Sequence, residues 1–149
     1  MEIKLVDYTV DYLELSWKWL NDPEIKALTN TPDFSLDQQI KWFNSLASKQ
    51  DYFIKGIEFL NIKIGVCGLK NITQSDAEYW GYIGDKQYWR KGIGTLILLE
   101  MEKKAKEAGC NSLWLNVLKS NSNAILLYSK NGYLIELENE NIQKMRKKI

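Results

Sequence analysis

The stretch Tyr88-Trp89-Arg90-Lys91-Gly92-Ile93-Gly94-Thr95 has residue types suited to holding a charged ligand. Gly92 and Gly94 allow a tight turn and a close backbone approach with no Cβ in the way. A helical pattern follows at once, so free N–H groups at the helix start would face an anion, aided by the helix dipole. Arg90 and Lys91 add positive charge at the same place. This is chemistry that holds a pyrophosphate. The same residues would also serve a plain strand-to-helix turn with solvated basic side chains. Two other phosphate motifs are excluded. A P-loop needs Gly-Lys-Ser/Thr, whereas Thr95 follows Gly94 directly. A dinucleotide fingerprint needs a third small residue where Ile97 stands, and it opens the first βα unit of a domain; this loop lies deep in the chain.

Proton chemistry is constrained by what is missing. The sequence has no histidine, which removes Ser-His-Asp hydrolysis, Cys-His proteolysis and histidine-ligated metal sites. Acid and base must come from Asp, Glu, Tyr, Lys or Cys. Cys67 and Cys110 match no metal or redox spacing and read as two buried thiols in a reducing cytoplasm. No metal is expected.

The elements that carry these residues can be read from periodicity. Ile3, Leu5 and Asp7 alternate with Glu2, Lys4 and Val6 in a short strand. Val10, Leu13, Trp17 and Leu20 mark a helix that should stop at Asn21-Asp22-Pro23. A second helix begins near Ser35, where Ser35 and Gln38 fit a capping box and Leu36, Ile40, Phe43 and Ala47 form an apolar stripe. A hairpin follows, Tyr52 to Glu58 and Ile62 to Leu69, turning near Asn61. Glu78 to Ile83 is an aromatic-rich strand. The helix after the glycine loop runs from about Gly94 to Ala108, with Gly109 as a left-handed cap and Ile97, Met101, Ala105 and Ala108 inward. Leu113, Leu115 and Val117 share one face of the next strand, with Trp114 and Leu118 on the other, so both faces should be covered. A short helix (Ala124 to Lys130) and two strands near Tyr133 to Leu137 and Ile142 to Lys148 close the chain. The order βααβββαβαββ predicts an α/β fold, an α+β mixed sheet of about seven strands flanked by four helices.

At 149 residues the chain is expected to form one domain, 1–149. Lys and Arg total 20 against 19 acids, too balanced for a broad nucleic-acid footprint. No apolar run approaches the roughly 18 residues of a membrane span, and Met1-Glu2-Ile3-Lys4-Leu5 carries no basic leader, so a cytoplasmic protein is expected.

The glycine loop resembles that of the GNAT superfamily of acyl-CoA N-acyltransferases, Gln/Arg-x-x-Gly-x-Gly/Ala after the fourth strand. Trp89 departs from Gln/Arg and is similar to the RimJ/RimL-type branch, whose loops often read Tyr-Trp-x-x-Gly. A second block agrees. Asn121-Ser122-Asn123-Ala124-Ile125-Leu126-Leu127-Tyr128-Ser129-Lys130-Asn131-Gly132-Tyr133 resembles Asn-x-x-Ala-x-x-x-Tyr-x-x-x-Gly-Phe. The run Trp19 to Ile25, with Gln39, Trp42 and Phe43, resembles acetyltransferases acting on nucleotide-linked 4-amino sugars; RimJ/RimL-type protein N-terminal acetyltransferases share much of it.

The resemblance implies the GNAT fold, with strands four and five splayed around the pantetheine arm of an acyl-CoA, acetyl-CoA being the expected co-substrate. Backbone groups of Tyr82, Ile83 and Gly84 would meet that arm. Arg90, Lys91, Gly92, Ile93, Gly94 and Thr95 would hold the pyrophosphate, and Asn121 would hydrogen-bond the cofactor. Tyr128 would protonate the departing thiolate, or else pack as a plain aromatic. Some relatives carry a base as glutamate on the fifth strand, where this chain has Asn116. Glu78 on the fourth strand would be the substitute, directly or through water, because it alternates with Trp80 and Tyr82 on one face whose aromatic walls disfavour its charge; it could equally be a solvated strand-end glutamate, with Asp76 or the substrate's own ionisation as alternatives. Trp17, Trp19, Trp42 and Tyr52 would line an acceptor pocket or serve as core. The expected partner is a small amine, such as a nucleotide-linked sugar, with no nucleic acid or membrane, and the protein is expected as a monomer or homodimer. A module that binds acyl-CoA without catalysis is the contrasting reading.

Overall fold

The computed structural model describes residues 2–149; Met1, the start of the alternating pattern, lies outside them. The elements are β1 (Lys4–Val6), α1 (Val10–Asn21), α2 (Pro23–Leu28), α3 (Leu36–Ser45), β2 (Phe53–Phe59), β3 (Ile62–Lys70), β4 (Asp76–Ile83), α4 (Ile93–Glu107), β5 (Ser112–Leu118), α5 (Ser122–Lys130), β6 (Leu134–Glu138) and β7 (Ile142–Lys148). The sheet order is β1-β2-β3-β4-β5-β7-β6. Every neighbouring pair is antiparallel except β4 and β5, which run parallel.

Among the described residues there are five α-helices rather than four. Pro23 was expected to end a helix, and it does, but it also begins one. Proline suits the first helical position, where no N–H partner is needed. Asp22 caps α2 by accepting from the N–H groups of Glu24 and Ile25. The capping box on α3 is present, Ser35 accepting from Gln38 N–H and Gln38 accepting from Ser35 N–H. Its inward face differs from the expected stripe. Leu36 and Ile40 are exposed, and buried Gln39 donates from Nε2 to the Leu13 carbonyl at 3.1 Å. A buried amide satisfied by a backbone acceptor has turned α3 away from its apolar stripe. Likewise Ala108, expected inward, is exposed beyond the end of α4, while Glu102 is buried. The β2–β3 turn puts both Leu60 (φ 52°) and Asn61 (φ 64°) in the left-handed region, as a two-residue turn between twisted strands requires.

The register divides the sheet into two faces. Ile57, Cys67, Leu69, Ala77, Tyr79, Leu113, Leu115, Val117 and Met145 form one core with Ile93, Ile97, Leu98 and Met101 of α4. The opposite face carries Gly56, Val66, Gly68, Glu78, Trp80 and Tyr82, with Tyr12 of α1 lying directly over Gly56. Trp114 shares that second face with Asn116, which is exposed, so β5 is covered fully on one side only.

The parallel pair decides where ligands can enter. β4 and β5 are in register only through Asp76↔Ser112, Ala77↔Leu113 and Glu78↔Trp114. Beyond Glu78 the strands part, leaving a fork with unpaired backbone on both sides. Arg146 of β7 fastens its closed end. Its Nη1 donates to Asp76 Oδ2 at 2.9 Å and to Ser112 Oγ at 2.8 Å, while Nε donates to Glu136 Oε1 at 2.8 Å.

Candidate active site

The open end of the fork is where α4 and α5 both begin. Gly92 is the N-cap of α4 at φ 81°, and no side chain caps the helix, so its first N–H groups have no side-chain acceptor. Arg90 also has positive φ, 59°, and Arg90 and Lys91 are exposed beside that helix start. The loop therefore presents unpaired donors and two cations at one point, an arrangement suited to a pyrophosphate.

The two glycines do different jobs. A Cβ on Gly92 would meet nothing within 4 Å, so the left-handed backbone, not space, favours glycine there. A Cβ on Gly94 would stand 3.0 Å from Leu127 Cδ2. The missing side chain lets α5 close against α4. Gly94→Val is therefore expected to weaken acetyl-CoA binding by about tenfold or more, through displacement of α5 rather than by filling the phosphate's place. Calorimetry on the folded variant measures this, and unchanged affinity would show that Leu127 yields freely.

The three residues named for the pantetheine arm, Tyr82 and Ile83 of β4 and Gly84 just beyond it, differ in which backbone groups are free. The Gly84 N–H donates to the Ile64 carbonyl at 2.7 Å, and Trp19 covers its α-carbon. Alternation along an antiparallel ladder then directs Tyr82's backbone groups to β3 as well, and those of Gly81 and Ile83 into the fork. Tyr82 and Gly84 thus have no free N–H there. The Ile83 carbonyl already accepts from Trp89 Nε1 at 2.8 Å, leaving the Ile83 N–H. Gly81, absent from the sequence-based set, could have been found only by knowing the register.

Asn121 is the N-cap of α5. Its Oδ1 accepts from Ala124 N–H at 3.3 Å and its Nδ2 donates to the Leu28 carbonyl at 3.4 Å, tying α5 to the end of α2. Tyr128 lies on α5, its ring edge-on to Tyr79 (6.2 Å between centroids) and Tyr133 (6.0 Å). Burial pushes its phenol up to about 12, so it keeps its proton across the neutral range.

Glu78 sits at the last paired position before the fork, on the sheet face opposite Tyr79 and Tyr128. Its surroundings are less apolar than the sequence suggests. Asn71 Nδ2 donates to Oε1 at 2.9 Å, and Lys70 Nζ stands 3.8 Å from Oε2. Asp76 is a poorer candidate base. Its hydrogen bond from Arg146 holds its carboxyl below the usual aspartate range, and Thr73 adds a further bond. That tie is complete at neutral pH and is lost only as pH falls below the ordinary carboxylate range.

The second face continues past Glu78 as a wall of aromatic rings. Tyr8, Trp19, Trp42, Tyr52, Trp80 and Tyr82 are all half-buried, neither core nor free surface. Tyr52 packs against Trp80 at 6.0 Å, and Trp19 is edge-on to Tyr82 at 6.3 Å. The Tyr8 hydroxyl donates to Ser16 Oγ at 2.8 Å, and burial raises Tyr8, to about 12, and Tyr52 and Tyr82 further still. All three stay neutral phenols. Trp80 Nε1 is buried with no partner among the described residues. Lys49 Nζ lies 4.8 Å above the Tyr52 ring at the rim. Trp80 and Tyr82 share the face of Glu78, as their alternation in the sequence implies, and Tyr8 lies outside the expected set.

The family model for the acetyltransferase (GNAT) family matches residues 13–133. The chain belongs to that family. It is 29% identical over 140 residues to the acetyltransferase PseH of Campylobacter jejuni, covering 89% of this chain and 85% of that one. The crystal structure of that N-acetyltransferase superposes with a TM-score of 0.77 at 25% identity, over 98% of this chain and 97% of the other. A second relative, the ribosomal protein bS18 alanine N-acetyltransferase of Escherichia coli, is 29% identical over 73 residues, 49% of each chain. The chain is thus an N-acetyltransferase of the GNAT family, with the mixed sheet and parted parallel strands expected of it. None of its described helices is long and apolar enough to cross a membrane.

Proposed function

We propose that the protein moves the acetyl group of acetyl-CoA to the 4-amino group of a nucleotide-linked amino sugar. The observation that carries this reading is the fork between β4 and β5. It joins the uncapped start of α4 on one side of the sheet to the aromatic wall on the other. A donor held by its pyrophosphate at α4 can lay its arm between the strands and present the thioester to an amine on the far face. The likeness to a C. jejuni acetyltransferase whose crystal structure holds acetyl coenzyme A supports the donor.

The acceptor face favours a neutral ring joined to phosphates over a polycation. Both carboxylates on this face of β4 already have cationic partners, Asp76 with Arg146 and Glu78 with Lys70. Half-buried aromatic faces suit stacking on a sugar or base. Protonated amines cannot attack, so Glu78 would take a proton from the ammonium, directly or through water. Tyr128, across the sheet, would give one to the departing thiolate. Thus the acid and base are kept apart by the strand between them.

Two other readings stay testable. The match to a ribosomal-protein acetyltransferase supports an amino-terminal peptide as acceptor. A non-catalytic acyl-CoA module would use only the α4 end of the fork. The deciding experiment incubates protein and acetyl-CoA with a panel of nucleotide-linked 4-amino sugars and with amino-terminal peptides, and follows thiol release. Fastest release with the sugars is expected. Faster release with peptides would replace the sugar reading, and tight acetyl-CoA binding with no release would leave only the module.

Glu78→Gln is expected to lower kcat/KM roughly tenfold at about pH 6, with partial recovery in alkaline buffer. The direction follows from the amine. Falling pH protonates it and makes a base necessary, whereas rising pH supplies the free amine without help. A pH–rate profile identical to wild type would take Glu78 out of the mechanism.

A further inference from the structure

Trp89 occupies the one loop position where the sequence departs from the Gln/Arg pattern, and its contacts give it a job. Its indole Nε1 donates to the carbonyl of Ile83, the last residue of β4, at 2.8 Å. That bond spans the Lys86–Tyr88 turn and fixes where the chain enters its left-handed step at Arg90. On its other side, Lys86 Nζ lies 5.8 Å from the centre of the Trp89 ring. The same ammonium reaches Asp22 Oδ2 at 2.9 Å and Glu24 Oε1 at 3.0 Å. Asp22 is the residue that ends α1 and caps α2.

A continuous path therefore runs from the end of β4 through Trp89 and Lys86 to the corner between the two helices on the acceptor side. Trp19, near the end of α1, adds a second seat by lying over Gly84. Each part has a physical effect. The indole bond removes a rotational freedom from a loop whose next residues hold positive φ at Arg90 and Gly92. A loop already fixed in its binding geometry loses less entropy when the anion arrives. The lysine bridge, being exposed, contributes less than the indole bond.

We propose that Trp89 is a positioning residue for the phosphate loop, and that the Trp89–Lys86 clamp makes this loop and the α1–α2 corner one mechanical unit. This rests on the α4 start being the acetyl-CoA site. Neither residue need touch the reacting atoms. Trp89 preorganises the donors at the start of α4, and Lys86 passes any shift of the corner to the loop.

Calorimetric titration of acetyl-CoA into wild type, Trp89→Phe, Lys86→Met and the double variant tests the clamp, with thermal melts of the ligand-free proteins. Wild type is expected to bind in the micromolar range. Trp89→Phe keeps the ring and loses the donor, and should bind about tenfold more weakly while melting within about 3 °C of wild type. Lys86→Met should weaken binding about threefold, and the double variant should lose less than the product of the two. On any acceptor turned over, KM for acetyl-CoA should rise with kcat at saturation kept, a split that general loosening of the fold would not give. Wild-type affinity in a folded Trp89→Phe would overturn the proposal. If that variant melts early, unchanged affinity in Lys86→Met overturns it instead. Failure of wild type to bind acetyl-CoA would be a different result, removing the donor site itself.

Discussion

Replacing Tyr128 by Phe should lower kcat by about 10²-fold and leave acetyl-CoA affinity within about twofold. The phenol is wedged between Tyr79 and Tyr133, so Phe fills the same space and keeps the edge-on contacts. Only the proton is lost. Because burial pushes the phenol up to about 12, transfer to a thiolate with an ordinary conjugate-acid pKa near 8.5 is uphill in water. The same burial would raise the thiol formed at that spot, which brings the two groups closer in proton affinity. A thiolate left without this proton stays charged in a poorly solvated place, which favours return to the thioester. Initial rates across acetyl-CoA concentrations, with calorimetry on the same preparation, measure both quantities. A fully active Phe variant would make Tyr128 packing only, with water as the acid.

Glu102→Ala should destabilise the fold by about 2 kcal/mol, lowering the melting temperature by roughly 4–8 °C. Glu102 is a buried carboxylate on α4. Tyr133 donates to its Oε2 and Lys147 to its Oε1, both at 2.9 Å. The trio joins α4 to β7 and to the tyrosine that flanks Tyr128. Alanine would leave the Tyr133 hydroxyl without its acceptor inside the protein, and Lys147, which is partly exposed, would turn to water. Glu102→Gln should cost less, because its amide oxygen still accepts from Tyr133. Urea unfolding of both variants measures the difference. A loss below about 1 kcal/mol in the Ala variant would mean water replaces the carboxylate readily.

Much of this architecture is legible in the chain before any coordinates. The Ser35–Gln38 capping box, the Leu60-Asn61 hairpin turn and the Gly109 cap are local chemistry, decided by residues within a few positions of one another. Helix α2 is not legible in the sequence because one proline can both end and begin a helix, and Asp22's capping bonds decide which. The inward face of α3 was misread because Gln39 takes its partner from α1, 26 positions earlier. The site divides in the same way. The glycine loop and the Tyr128 block are contiguous motifs. Which β4 groups face the fork depends on pairing with β3, and the half-buried aromatic wall depends on α1, α3 and β2 meeting one strand. The first leaves no signature in spacing; of the second, the alternation of Glu78, Trp80 and Tyr82 and the aromatics Trp19, Trp42 and Tyr52 are legible, but Tyr8 is not.

The two cysteines bear on how all of this can be measured. Cys67 is fully buried, its thiol pushed up to about 12, and Cys110 is 5% exposed and also raised. Thiols in that state react slowly with disulfide dyes, because the thiolate is the reactive form. In a colorimetric assay the folded protein should therefore stay silent, and colour should report coenzyme A released from the thioester. The converse is useful too. Reaction of these cysteines with the dye as temperature or urea is raised, in a run without acetyl-CoA, would mark the opening of the core around β3 and the start of β5, so one reagent can follow turnover in one run and unfolding in another.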